Sequence, residues 1–130
     1  MSNFALIKQF HEKFDPANTG EKLDDLLPRR LAYLLEEAKE AAEAADNLYA
    51  AIDPEKPSAP DTIRQCKAEL VKELVDLLQV TYGFLHLMNV DAEAAFAEVM
   101  RSNMSKTPNA GGKAIKGEGY TPAEMEQFVS

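Results

Sequence analysis

A chain of 130 residues suits one domain with a real core. Its formal net charge of −8 argues against gripping a nucleic-acid polymer through a broad basic surface, and no stretch approaches the roughly 20 apolar residues of a membrane span. Apolar residues make up 45% but aromatics only 8%, with no Trp, and the prevalence of Ala and Leu favours helices over strands.

The opening MSNFALIKQFHEKF lacks the apolar run and cleavage pattern of a signal peptide. With one cysteine, Cys66, and hence no internal disulfide, the expectation is a cytoplasmic protein. Phe4, Ile7, Phe10 and Phe14 recur at spacings of three and four, which predicts a short amphipathic helix over 3–14. Asp15-Pro16 and Asn18-Thr19-Gly20 end it.

A long helical pattern follows from about Leu23 to Ile52, with Pro28 marking its first turn. Leu31, Leu34, Leu35, Ala38, Ala42, Ala45 and Tyr49 are its predicted apolar face. Glu36 and Glu40 lie away from that face, and Glu37 sits on its border. On periodicity alone these acids equally suit a solvated face. Asp53 to Pro60 carries three prolines in eight residues and reads as a loop. Asp61 or Ser58 is the expected cap of the next helix.

That helix, about Asp61 to Met88, is the most apolar and is predicted to be central. Glu69, Glu73 and Asp76 share a stripe on it that continues into Val80 and Gly83. A line of carboxylates running into an apolar line is hard to read as plain surface, because buried charge is expensive unless paired or metal-bound. If the two long helices pack together, four or five carboxylates converge. Two unit charges about 5 Å apart repel by roughly 3 kcal/mol at an effective dielectric of about 20. Such a cluster needs a counter-charge, and a hard divalent cation with oxygen ligands, Mg²⁺ above all, is the natural one.

Asp91 is a good cap for the helix AEAAFAEVMRSNMSK. Residues 105–121 are expected to form a mobile loop rich in glycine and lysine. Between Thr107 and Tyr120 it holds four of the six glycines, with Lys113 and Lys116 after Lys106. Close backbone N–H groups and lysine charge suit a phosphate-bearing ligand, although a surface loop has the same composition. Thr121-Pro122-Ala123-Glu124 reads as a capping box opening a short last helix.

LLEEAKEAAEAA, ELVDLLQVTYG, NMSK and GGKAIKGEGYTP, in that order, resemble the all-α nucleoside-triphosphate pyrophosphohydrolases. These are the MazG-type group related to phosphoribosyl-ATP pyrophosphohydrolase. The resemblance spans nearly the whole chain, residues 1–130 as a single domain, and implies an all-α bundle of about four main helices plus a short terminal one. It implies cleavage between the α and β phosphates of a nucleoside triphosphate or related nucleotide, with Mg²⁺ or Mn²⁺. By the same resemblance Glu37, Glu40, Glu73 and Asp76 ligate metal, and Glu36 orients or deprotonates the attacking water. Asn103 and Lys106 meet the phosphates or metal, while Lys113, Lys116 and Tyr120 close over the substrate. The N-terminal segment then lies near the nucleotide, with Phe10, His11 and Phe14 as candidate base contacts. The interval between Glu40 and Glu73 is somewhat longer than usual in that group.

A carboxylate-bridged di-iron bundle wants two Glu-x-x-His motifs, and Gly83 and Lys8 stand three before His86 and His11. A non-catalytic helical module, binding nucleotides or other partners, is the remaining alternative. One very apolar helix among four modest ones leaves surface to cover, so a homodimer or homotetramer is expected.

Overall fold

The computed structural model describes residues 1–14, 22–109 and 111–130. The chain forms α1 (Asn3–Phe14), α2 (Leu23–Ala51), α3 (Pro60–Leu87) and α4 (Ala92–Met104). Two two-residue strands follow, β1 (Thr107–Pro108) and β2 (Ala114–Ile115), then a 3-10 turn at Met125–Phe128. The architecture is the expected all-α bundle. The turn signals at Asp15-Pro16 and Asn18-Thr19-Gly20 lie outside the described residues. None of the described helices is long and apolar enough to cross a membrane.

Helices α1, α2 and α4 all pack on α3, with the α2–α3 contact by far the most extensive. Helix α3 is therefore central, as its composition predicts. The buried positions of α2 are Leu26, Arg30, Ala41, Ala44 and Ala51, with Leu34, Glu37 and Leu48 half-buried. Those of α3 are Glu73, Gly83 and Leu87, with Ile63, Cys66, Leu70, Leu77, Val80 and Phe84 half-buried. Both sets step by three and four, the signature of one continuous helix–helix seam.

The predicted apolar face of α2 is not this seam. Leu35 is 61% exposed, and Leu31, Tyr49 and Ala38, Ala42 and Ala45 also face outward. Helix α2 is apolar on two sides. The inner side contains small alanines and two charged groups, so a count of large apolar residues picks the outer one. Val71, Leu74, Val75 and Leu78 of α3 are likewise exposed.

Local signals fare unevenly. Pro28 lies inside α2 rather than in its first turn, because the helix starts at Leu23. Helix α3 opens with Pro60 at its first turn and Ala59 as cap; neither Ser58 nor Asp61 caps it. Asp91 caps α4 as expected, its Oδ1 accepting from the Ala94 N–H at 3.1 Å. Before it, Asn89 turns the chain with φ of 60°, a left-handed conformation asparagine tolerates.

The 105–121 segment folds into a minimal antiparallel hairpin, pairing Thr107 with Ile115 and Pro108 with Ala114. Its base is tied down: Ser102 Oγ donates to the Thr121 carbonyl at 2.8 Å, and the Thr121 N–H donates to Ser105 Oγ at 2.9 Å. The predicted capping box does not form. Thr121 Oγ1 instead accepts from Arg101 at 2.6 Å, and the Glu124 N–H donates to Glu98 Oε1 at 3.0 Å. Arg101 also grips both Glu98 oxygens, at 2.9 and 2.7 Å. Tertiary partners have taken over the groups that a helix cap would have used.

Candidate active site

Arg30 and Val80 line one cleft, while further along the seam Glu37 meets Glu73 and Asp76. The two long helices therefore run antiparallel and bring Glu37 to Glu73 and Asp76. Glu37, Glu73 and Asp76 each offer a carboxylate oxygen, all within 4.8 Å of one another. Among the described residues no other three acids, cysteines or histidines bring ligand atoms this close together.

Glu73 is only 7% exposed. Its Oε2 and that of Glu37 are buried with no hydrogen-bond partner. A buried carboxylate oxygen without a donor is strongly unfavourable unless something positive meets it. Two such oxygens beside a third carboxylate form the hard, all-oxygen donor set that Mg²⁺ or Mn²⁺ uses. The donor set fits a hard divalent cation as a class.

Glu40 is half-buried beside this trio. Repulsion from Glu37 first, then burial, then Glu73 push its carboxyl above the usual range. Glu36 is exposed and adds to the same field. Glu69 is exposed and outside the cluster. One cation already sits at the edge: Lys72 Nζ lies 3.3 Å from Glu73 Oε1 and 3.0 Å from Asp76 Oδ2.

A cleft of about 360 Å³ opens beside the acids, lined by Phe10, His11, Arg29, Arg30, Tyr33, Gln79 and Val80. Tyr33 stands one helical turn before Glu37, and Val80 one turn after Asp76. The Arg30 guanidinium lies over the Tyr33 ring, 5.3 Å from its centroid. His11 is buried, packed on Gly83 so closely that a Cβ there would collide with its Nε2. Its ring centroid is 5.6 Å from that of His86, so two histidines that are isolated in sequence are neighbours in space. Phe14 packs at a tilt against Phe10, which lines the cleft.

Asn103 and Lys106 stand at the C-terminal end of α4, and Lys113, Lys116 and Tyr120 in and after the hairpin. Lys116 Nζ lies over the Tyr120 ring at 5.2 Å. None of the hydrogen bonds or ion pairs of the described residues ties these five to the carboxylates. Lys72, Arg29, Arg30, Tyr33 and Gln79 were not foreseen from the sequence. The available signal for Arg30 was its place in the three-and-four stepping that links Leu26 to Leu34 and Glu37.

The all-α bundle is consistent with the fold of the MazG-like nucleotide pyrophosphohydrolases. The phosphoribosyl-ATP pyrophosphohydrolase profile matches residues 5–103, a span that holds every candidate carboxylate. The chain belongs to that family. Lys106, Lys113, Lys116 and Tyr120 fall beyond the matched span. No curated protein matches the chain.

Proposed function

We propose that this protein is a metal-dependent nucleotide pyrophosphohydrolase. It cleaves the α–β phosphoanhydride of a nucleoside triphosphate or related nucleotide by water attack, releasing the monophosphate and pyrophosphate. The observation that carries this reading is the pair of buried, partnerless oxygens on Glu37 and Glu73 beside Asp76. Family membership supplies the reaction class.

In this reading Glu37, Glu73 and Asp76 hold the cation, Mg²⁺ or Mn²⁺, with Glu40 completing the set. When bound, the cation neutralises phosphate charge and lowers the pKa of water near it. Glu36, exposed at the rim, takes a proton from the attacking water. Arg29 and Arg30 add positive charge on the cleft side, and Phe10 and Tyr33 offer flat surfaces to a base. Asn103, Lys106, Lys113, Lys116 and Tyr120 act on the phosphates when the α4 end and the hairpin come over a site.

The exposed apolar surface of α2 and α3 supports a homodimer or homotetramer. Light scattering at micromolar concentration reads this; a monomer argues against it. For the activity, pyrophosphate release is measured on a panel of nucleoside triphosphates and phosphoribosyl nucleotides with Mg²⁺. Wild type is compared with Glu73→Gln and Asp76→Asn. Equal rates in all three remove the metal-site reading and leave a non-catalytic module.

A further inference from the structure

We propose that Lys72 is a built-in competitor for the divalent cation, an ammonium that shares two of the carboxylates the cation uses. The inference rests on the metal-site reading above. Glu73 and Asp76, the two ion-pair partners of Lys72, are both members of the three-carboxylate cluster. The ammonium takes Glu73 Oε1 and Asp76 Oδ2, whereas Glu73 Oε2 and Glu37 Oε2 stay buried without a partner. The cluster thus has an inner half lacking donors and an outer half already held by a positive charge.

An ordinary surface lysine at this spacing would be a weakly stabilising helix pair. Lys72 differs in what it touches, since one partner is among the most buried side chains of the bundle. Its partners are on its own helix, one and four residues on, so the ammonium does nothing to bring α2 to α3. The seam packing puts Glu37 opposite Glu73. Removing the ammonium therefore leaves the carboxylates in position with one more unit of uncompensated negative charge. An arriving cation must either displace Nζ from both acids or enter beside a like charge, and each weakens binding. The side chain is 62% exposed and has solvent to swing into. Half-saturation with metal is then set by Lys72 as well as by the ligands.

The test is Mn²⁺ binding to the nucleotide-free protein, followed by the loss of the free-ion signal in electron paramagnetic resonance. Lys72→Met and Lys72→Gln bind Mn²⁺ about three- to tenfold more tightly than wild type. Lys72→Arg, which keeps the charge, stays near wild type. Equal or weaker binding in both Met and Gln variants overturns the competitor role while leaving the metal site intact. Binding absent from wild type, or unchanged in Glu73→Gln, overturns the metal-site reading and this inference together.

Discussion

Two glutamates of this bundle are nearly equally sheltered and do opposite things. The Glu73 side chain is 9% exposed and that of Glu98 14%. Glu98 accepts two bonds from Arg101 and one from the Glu124 N–H. Led by the Arg101 contact, those partners hold its carboxyl down at about 2. Glu73 faces two other acids, with one oxygen held by an exposed lysine and the other by nothing. A satisfied carboxylate ties structure together; an unsatisfied buried one is tolerated where it has a ligand to meet.

The sharpest way to break the contrast is to neutralise each acid in turn. Glu73→Gln lowers kcat/KM for pyrophosphate release by more than about 100-fold, since even partners behind a metal ligand are worth 10–100-fold. Thermal denaturation of the same variant without metal gives a Tm no lower than wild type, because a repulsive charge has gone. A large drop in Tm would make Glu73 a structural residue like Glu98.

Next in size is the packing that shapes the cleft. Gly83→Ala drives a methyl into His11, and overpacking of this kind costs about 1–3 kcal/mol. Chemical denaturation reads the loss, and His11→Ala in the same chain restores part of it. A neutral Gly83→Ala would mean that α1 shifts freely over α3.

Glu98→Gln comes third. It loosens the hold on Thr121 and the hairpin base, lowering Tm by a few degrees with catalysis largely kept. Because Glu98 titrates lower when folded than its ordinary 4.5, its contribution is complete above about 4.5 and fades as pH falls towards about 2. The variant lacks that limb of the stability profile. Glu40 has the reverse sign. Its folded carboxyl is raised, so the metal-free protein loses stability as pH climbs from 4.5 through the folded value, and Glu40→Gln flattens that slope. Overlapping profiles for wild type and Glu40→Gln would count against crowding among the acids.

The sequence made the helices legible because spacing and composition are local properties. It made the paired acids of the seam legible too, since Glu37, Glu73 and Asp76 do meet. It misled about which side of α2 turns inward, because Arg30 and Glu37 occupy positions where a periodicity count wants leucine. The same count could not register Lys72, whose proposed role comes from the burial of Glu73 beside it rather than from its own type. The Thr121–Glu124 cap was legible as chemistry and absent as structure, since Arg101 and Glu98 outbid the local hydrogen bonds. Asn103 and the loop lysines stay with α4 and the hairpin, and no hydrogen bond or ion pair among the described residues joins them to the carboxylates.

Ala41 and Ala44 lie one and two turns beyond Glu37 on the inner side of α2, with Ala51 two turns further on. Methyl groups there let two backbones come nearer than leucines would. The gap between Glu37 and the acids of α3 is therefore gauged by residues outside the carboxylate cluster. Under the proposed metal-site reading, Ala41→Val or Ala44→Val widens that gauge and shifts the preference from the tight shell of magnesium towards the looser one of calcium, with Glu37, Glu73 and Asp76 unchanged.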